Sequence, residues 1–181
     1  MLLKVAALLA FFSCPRTSPH PPCGIVGDAA RPVALLPIAA DGAGNLHALH
    51  DGDSLQLQRP PQGGFVIYAG VAATNLNRCL LSAAELIDPA SGSPLTNLDQ
   101  RNADLVDEQA GYFWPPDIFQ TPNIPACPDA LHVGVVNRSA ILRVDVQDID
   151  GRTGRAEVRV TPVCGDDKSC ACLCGPNPTH C

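Results

Sequence analysis

Two stretches near the C-terminus alternate strictly between apolar and polar side chains. Residues 141–147 and 155–161 each place every second side chain on one apolar face, which is the period of a half-buried β-strand. The apolar positions are Leu142, Val144, Val146, Ala156, Val158 and Val160. The segment between the two stretches contains Asp150-Gly151, a dipeptide favoured where a hairpin needs positive φ. The pattern predicts a β-hairpin.

Shorter stretches upstream also indicate strands. Residues 65–73 are apolar on both faces, as in a central strand covered on each side, and they follow a Pro- and Gly-rich turn at residues 60–64. Leu55 and Leu57 alternate with glutamines in the strand before that turn. Residues 82–85 could open a helix with a capping box, but the turn signal after them favours a strand. Many Pro and Gly residues, 18 and 15, and few charged ones fit an all-β, two-layer antiparallel sandwich.

The N-terminus has the order of an export signal. Lys4 precedes an apolar run from residue 5 to residue 12, too short to span a bilayer, which needs about 20 residues. We expect residues 1–13 to be a signal peptide; the alternative is a buried N-terminal strand or helix. Residues 14–32 are rich in Pro, Ser and Gly and are predicted to be an extended tether, which Cys23 is expected to attach to the fold.

The residues around Ser13-Cys14 resemble the lipobox of bacterial lipoproteins, although Phe11 and Phe12 depart from its preferred residues. The resemblance implies that Cys14 is lipidated and becomes the N-terminus after cleavage. An ordinary secretory signal cut nearby would instead leave Cys14 as a free or disulfide-bonded thiol.

Nine cysteines leave one without a partner if all the others pair, and lipidation of Cys14 would account for it. The other eight are predicted to form disulfides: Cys23, Cys79, Cys127, Cys164, Cys170, Cys172, Cys174 and Cys181. Within the domain we expect Cys79 to pair with Cys127. Residues 164–181 are predicted to be an irregular tail, tied to itself or to the domain body. In a reducing compartment the same tail would favour a zinc or other soft-metal site.

The segment ILRVDVQDIDGRTGRAEVRVTP is similar to the last two strands of bacterial Ig-like domains. With the lipobox-like start and residues 60–71, the chain resembles uncharacterised Ig-like lipoproteins of Gram-negative bacteria. This resemblance implies an Ig-like sandwich over residues 33–163 and an address in the bacterial cell envelope, at the outer membrane. Fold alone does not imply function.

The aromatic loop is the candidate partner-binding site: Tyr112, Phe113, Trp114 and Phe119. Large rings on a loop can stack on a glycan or anchor a protein partner, whereas the alternative is a plug at one end of the core. Asp145, Asp148 and Asp150 could bind calcium, or they could be residues that the turn itself requires. We favour the second interpretation. His47, His50 and Asp51 are similarly assigned to a polar turn, so no metal site is predicted.

The formal charge of −6 and the lack of a Lys/Arg cluster argue against a nucleic-acid partner. No catalytic or phosphate-binding motif is present, so neither an enzyme nor a cofactor is predicted. We therefore expect a cell-envelope lipoprotein with a non-catalytic binding or structural role, held at the membrane by its lipid and contacting an envelope protein or glycan. The alternatives are a secreted metal-binding protein using the C-terminal cysteines and an envelope hydrolase with an unrecognised site.

Overall fold

The protein is all-β with one short helix, as shown by a computed structural model that describes residues 22–127 and 134–174. The strands, in chain order, are β1 Ile25–Val26, β2 Ala34–Ala40, β3 Leu46–Ala48, β4 Asp53–Gln56, β5 Phe65–Thr74, β6 Leu76–Asn77, β7 Cys79–Ile87, β8 Asp99–Asp104, β9 Asp107–Gln109, β10 Tyr112–Trp114, β11 Asn123–Cys127, β12 Ala140–Asp148 and β13 Thr153–Val163. The helix α1 is Lys168–Cys174, and Ile118–Gln120 forms a 3-10 turn. No helix in the described part is long and apolar enough to cross a bilayer.

Two sheets pack face to face. The first has the order β3-β2-β5-β10-β9, with β11 also pairing with β5, and the second has the order β4-β13-β12-β7-β8. All the pairs within these sheets are antiparallel except β4 with β13, which is parallel. The short strands β1 and β6 form a separate two-stranded ribbon.

The predicted hairpin is β12 and β13. Leu142 pairs with Val158 and Val144 with Ala156, so the apolar positions of both strands lie on one face. Leu142, Val144 and Val160 are completely buried in the main core between the sheets. Gly151 in the turn has φ of 83°, the conformation that favours glycine there.

Strand β5 is buried on both faces, as its sequence predicted. Phe65 and Ile67 point into the main core, and Ala72 on the opposite face joins an outer apolar cluster with Ile38 and Trp114. Gly70 lies close under Pro122, since a Cβ at Gly70 would approach the Pro122 ring to 3.3 Å. The chain after β10 therefore covers the outer surface of this sheet.

The prediction for residues 82–85 is confirmed, because they lie inside β7, and Leu55 is a buried residue of β4.

Two predictions, one for the N-terminal segment and one for the C-terminal segment, need correction. Residues 14–32 are not all tether: β1 pairs with β6, and Arg152 donates hydrogen bonds to the carbonyls of Ala29 and Arg31. Residues 23–32 are therefore attached to the sandwich.

The second correction concerns the tail, which was expected to be irregular. Within its described part, Lys168–Cys174 form α1, whose first turn is organised by Asp167. The Asp167 carboxylate accepts hydrogen bonds from the backbone N–H and the hydroxyl of Ser169 and from the N–H of Cys170. The hydrogen bond from the Ser169 side chain is the main cause of a lowered Asp167 pKa.

Candidate functional site

Three disulfides join the described cysteines, and their pairing differs from the expected one. Cys23 bonds to Cys79, Cys127 to Cys174, and Cys164 to Cys170. The predicted bond between Cys79 and Cys127 is therefore wrong. The β1–β6 ribbon brings Cys23 to the start of β7, where Cys79 lies, whereas Cys127 at the end of β11 faces the tail.

The tail is tied both to itself and to the domain body, in agreement with the sequence-based expectation. Cys164–Cys170 closes a loop of six residues in sequence, and Cys127–Cys174 attaches α1 to β11. Cys172 is also disulfide-bonded. Cys14 and Cys181 lie outside the described residues.

The two tail disulfides lie side by side. The Sγ atoms of Cys164, Cys170 and Cys174 are all within 4.8 Å of one another, and those of Cys170 and Cys174 are 3.7 Å apart. Cys127 completes this four-sulfur cluster through its bond to Cys174. All four side chains belong to the buried core. The cluster is thus a group of four sulfur atoms, in two disulfides, that is largely shielded from water.

The spacing of the tail cysteines explains which of them join the cluster. Cys170 and Cys174 are four residues apart on α1, so they share a helical face. Cys172, two residues from each, is rotated by about 200° to the other side of the helix. Sequence reasoning treated this segment as extended and so missed the i, i+4 signal.

The four aromatic residues of the predicted partner-binding loop do not form one surface. Trp114 and Tyr112 pack in the outer apolar cluster, and Phe113 packs against the main core. Phe119 alone among them is largely exposed, at 74%. Three of the rings therefore act as a plug, and Phe119 remains the one available to a partner.

A shallow groove on the outer face of the second sheet was not anticipated from the sequence. Two adjoining depressions of about 630 and 420 Å³ share Leu81 of β7 and Gln147 of β12. Their remaining polar lining includes Gln100, Asn102, Asp104, Gln120, Asp145 and Arg155. Alternation on β7 and β8 could have suggested it, because Leu81 and Ala83 on β7 lie opposite the polar residues Asn102 and Gln100 on β8.

Ion pairs border this groove. Arg155 makes a bidentate pair with Asp145, at 2.7 and 3.0 Å, which raises the pKa of the Arg155 guanidinium. Next to it, Arg143 lies between Glu157 on β13 and Glu85 on β7. These pairs place charged donors and acceptors along the border of the groove.

The acidic turn between β12 and β13 is organised by backbone groups. The buried Asp148 carboxylate accepts hydrogen bonds from the N–H groups of Asn77, Asp150 and Arg152. Asp150 accepts from the Asn77 side-chain amide, and Asp145 is paired with Arg155 instead. Asp148 and Asp150 thus connect the turn to Asn77, and Asp145 pairs with Arg155 across the two strands.

The histidines near β3 are likewise not convergent. His47 and His50 are both exposed, and His50 lies 3.6 Å from a carboxylate oxygen of Asp53. Asp51 instead accepts a hydrogen bond from the Arg159 backbone N–H. These contacts connect the turn to β13.

No protein family, curated protein or solved structure matches this chain.

Proposed function

We propose that the protein is an exported, lipid-anchored component of the bacterial cell envelope, with a non-catalytic binding or structural role. Its sandwich would stand off the outer membrane on a short Pro-rich tether that ends at Cys23. The proposal assigns the anchor to Cys14, the body to residues 23–163 and a disulfide-bonded cap to the tail.

The disulfides carry the export proposal. All seven cysteines within residues 22–127 and 134–174 are disulfide-bonded. Disulfides form and persist in oxidising compartments such as the bacterial periplasm and cell surface, and are rare in the cytosol. This oxidation fits the signal-like residues 1–13.

The strand order supports an Ig-like sandwich. Strands β2, β5 and β11 pair as strands A, B and E do in an Ig domain, and β7, β12 and β13 pair as strands C, F and G do. The parallel strand β4 extends this second sheet beyond the strand in the G position. The proposal therefore keeps the Ig-like resemblance of the terminal hairpin and extends it to both sheets.

The lipid would supply the membrane attachment. Removing residues 1–13 removes Lys4 and takes the formal charge from −6 to −7. An acidic protein gains no attraction from anionic headgroups, so acyl chains on Cys14 would have to hold it.

Export and anchoring are tested together by intact mass and membrane fractionation of the natively exported protein. We expect a mass that begins at Cys14 and includes acyl chains, with the remaining cysteines alkylated only after reduction. Cys14→Ser should move the protein to the soluble fraction, while the control Ser13→Ala should stay with membranes. A membrane fraction unchanged by Cys14→Ser would rule out the lipid anchor.

The binding role would use the groove around Leu81 or the exposed Phe119. The groove combines an apolar floor with amide side chains, which can both donate and accept hydrogen bonds to a glycan or a protein backbone. A photo-cross-linking residue placed at Leu81, at Phe119 and, as a control, at Gln62 in the exposed turn before β5 would locate the partner in cells. We expect an adduct from position 81. Absence of adducts from both positions 81 and 119 would contradict a binding role for these surfaces.

A further inference from the structure

The four-sulfur cluster of Cys127, Cys164, Cys170 and Cys174 has the composition of a metal site, and three of its sulfurs, those of Cys164, Cys170 and Cys174, also have the spacing of one. We propose that, when both of its disulfides are reduced, the cluster binds one borderline-soft divalent cation such as Zn²⁺ through four thiolates. This inference goes beyond the envelope role and does not depend on the lipid anchor.

The distances between the sulfurs fit the tetrahedral coordination of one ion. With Zn–S bonds of about 2.3 Å, neighbouring sulfurs of a tetrahedral site lie about 3.8 Å apart. The Sγ atoms of Cys170 and Cys174 are 3.7 Å apart, and Cys164 lies within 4.8 Å of both. Metal binding would need the two bonded pairs to separate from roughly 2.05 Å to about that edge, and the Cys127 sulfur, which is not one of the three mutually close sulfurs, to move towards the ion.

The ligands come from three elements that fix their positions independently. Cys127 ends β11, Cys164 follows β13, and Cys170 and Cys174 share one face of α1. Because the first two belong to the sandwich, reduction would leave half of the site in place. The metal would then hold α1 against the domain in the same way as the disulfides do.

Burial favours thiolate–metal bonding over hydration of the ion. Cys170 is completely buried and the other three sulfur-bearing residues are at most 9% exposed. A closed site with four protein ligands and no access for water has the features of a structural zinc centre. The cluster is therefore assigned to structural metal binding, with no open position for a substrate.

The chemistry balances with a dithiol as the reductant. Each disulfide accepts two electrons and two protons from a dithiol, which becomes a disulfide itself, so two dithiols yield four cysteine thiols. Zn²⁺ then displaces the four thiol protons and forms four Zn–S bonds. Disulfide bonding and metal binding are mutually exclusive states of the same sulfurs.

The test uses the full exported chain, reduced without oxygen by a phosphine and then given equimolar Zn²⁺ or Co²⁺. We expect one equivalent of bound metal, a thiolate-to-cobalt charge-transfer band, and protection from alkylation at Cys127, Cys164, Cys170 and Cys174. Cys23, Cys79 and Cys172 should alkylate freely in the same sample.

Variants separate this site from non-specific binding by thiols. Cys170→Ser should lower bound metal well below one equivalent, whereas Cys79→Ser and Cys172→Ser, which also remove one thiol each, should retain it. If Cys170→Ser fails to fold, the protection pattern of the unaltered chain decides. No bound metal, protection of Cys79 or Cys172 instead, or full binding by Cys170→Ser would each overturn the proposal.

Discussion

At the scale of single residues, the most informative polar group is the buried Asp148. Its carboxylate accepts hydrogen bonds from three backbone N–H groups, one of which belongs to Asn77, far away in sequence. A buried carboxylate is tolerated only when such donors satisfy it. Asp148 therefore joins the β12–β13 turn to the segment between β6 and β7.

Replacing this residue tests its structural role. Asp148→Ala should destabilise the fold by about 1–3 kcal/mol, because the buried Asn77 N–H loses its acceptor. Asp145→Ala, which removes an exposed ion pair with Arg155, should cost only about 0.2–1 kcal/mol. Urea unfolding of both variants would measure the difference. Equal costs would contradict the assignment of Asp148 as the anchor of the turn.

The lowered pKa of Asp88 predicts that the stability of the fold depends on pH. Its pKa is lowered from 3.8, chiefly by the hydrogen bond from the Ala90 N–H, and Ser91 and Arg138 lower it further. A carboxyl whose pKa is lower in the folded state stabilises the fold above its unfolded pKa, and this contribution is lost as the pH falls through the folded value. The melting temperature of the unaltered protein should therefore exceed that of Asp88→Asn at pH 7.

The pH series supplies the control for this prediction. The difference in melting temperature should shrink as the pH falls below about 4, where the unfolded carboxyl takes up its proton. Asp107→Asn, on an exposed position of β9, should show no comparable change. A difference between the unaltered protein and Asp88→Asn that stays constant across the series would contradict the assigned role of the charge.

At the scale of elements, local patterns predicted the strands whose burial alternates or is complete. The β12–β13 hairpin, β5 and β7 follow from period-two alternation, two-sided apolarity and turn signals, all of which are local. The helix α1 and the disulfide pairs did not follow. The Asp167 cap of α1 is a local contact, two residues from Ser169, and was missed because the segment was treated as extended. The Cys127–Cys174 bond depends on β11 lying beside the tail and joins residues 47 apart, so no local pattern predicts it.

The candidate sites, too, were predicted only as far as local sequence patterns reveal them. The aromatic residues were visible in the sequence, but their separation into two clusters depends on which face of β10 each ring occupies. The groove at Leu81 depends on how β7, β8 and β12 pair. The sulfur cluster required a helix that the proline-flanked, cysteine-rich composition did not suggest.

Substitution by alanine distinguishes the buried rings of the aromatic loop, which form the plug, from its exposed ring. Trp114→Ala should destabilise the protein by about 3–5 kcal/mol, because it leaves a cavity in the outer apolar cluster. Phe119→Ala should change stability by no more than about 0.5 kcal/mol, since its ring is mostly in solvent. Thermal and urea unfolding would measure both. A large cost for Phe119→Ala would show that this ring supports the fold.

At the scale of the whole molecule, covalent bonds close the sandwich at its N-terminal and C-terminal segments. Cys23–Cys79 fixes residues that follow the proposed tether, and Cys127–Cys174 fixes α1. If the protein is anchored by a lipid at one end, the Cys23–Cys79 bond would keep the residues next to the tether in the fold while the tether moves. This arrangement connects the envelope proposal to the stability of the molecule.

The lengths of the loops closed by these bonds predict their relative contributions. In the chain-entropy account, a disulfide stabilises by restricting the unfolded chain, so the separation of 56 residues for Cys23–Cys79 should be worth about 4 kcal/mol and the separation of 6 for Cys164–Cys170 about 2 kcal/mol. The double variants Cys23→Ser/Cys79→Ser and Cys164→Ser/Cys170→Ser, unfolded in urea under oxidising, metal-free conditions, would measure both. The first should be the less stable. The reverse order would show that the tail disulfide acts mainly through native contacts at the sulfur cluster, because chain entropy alone cannot make the shorter loop more stabilising.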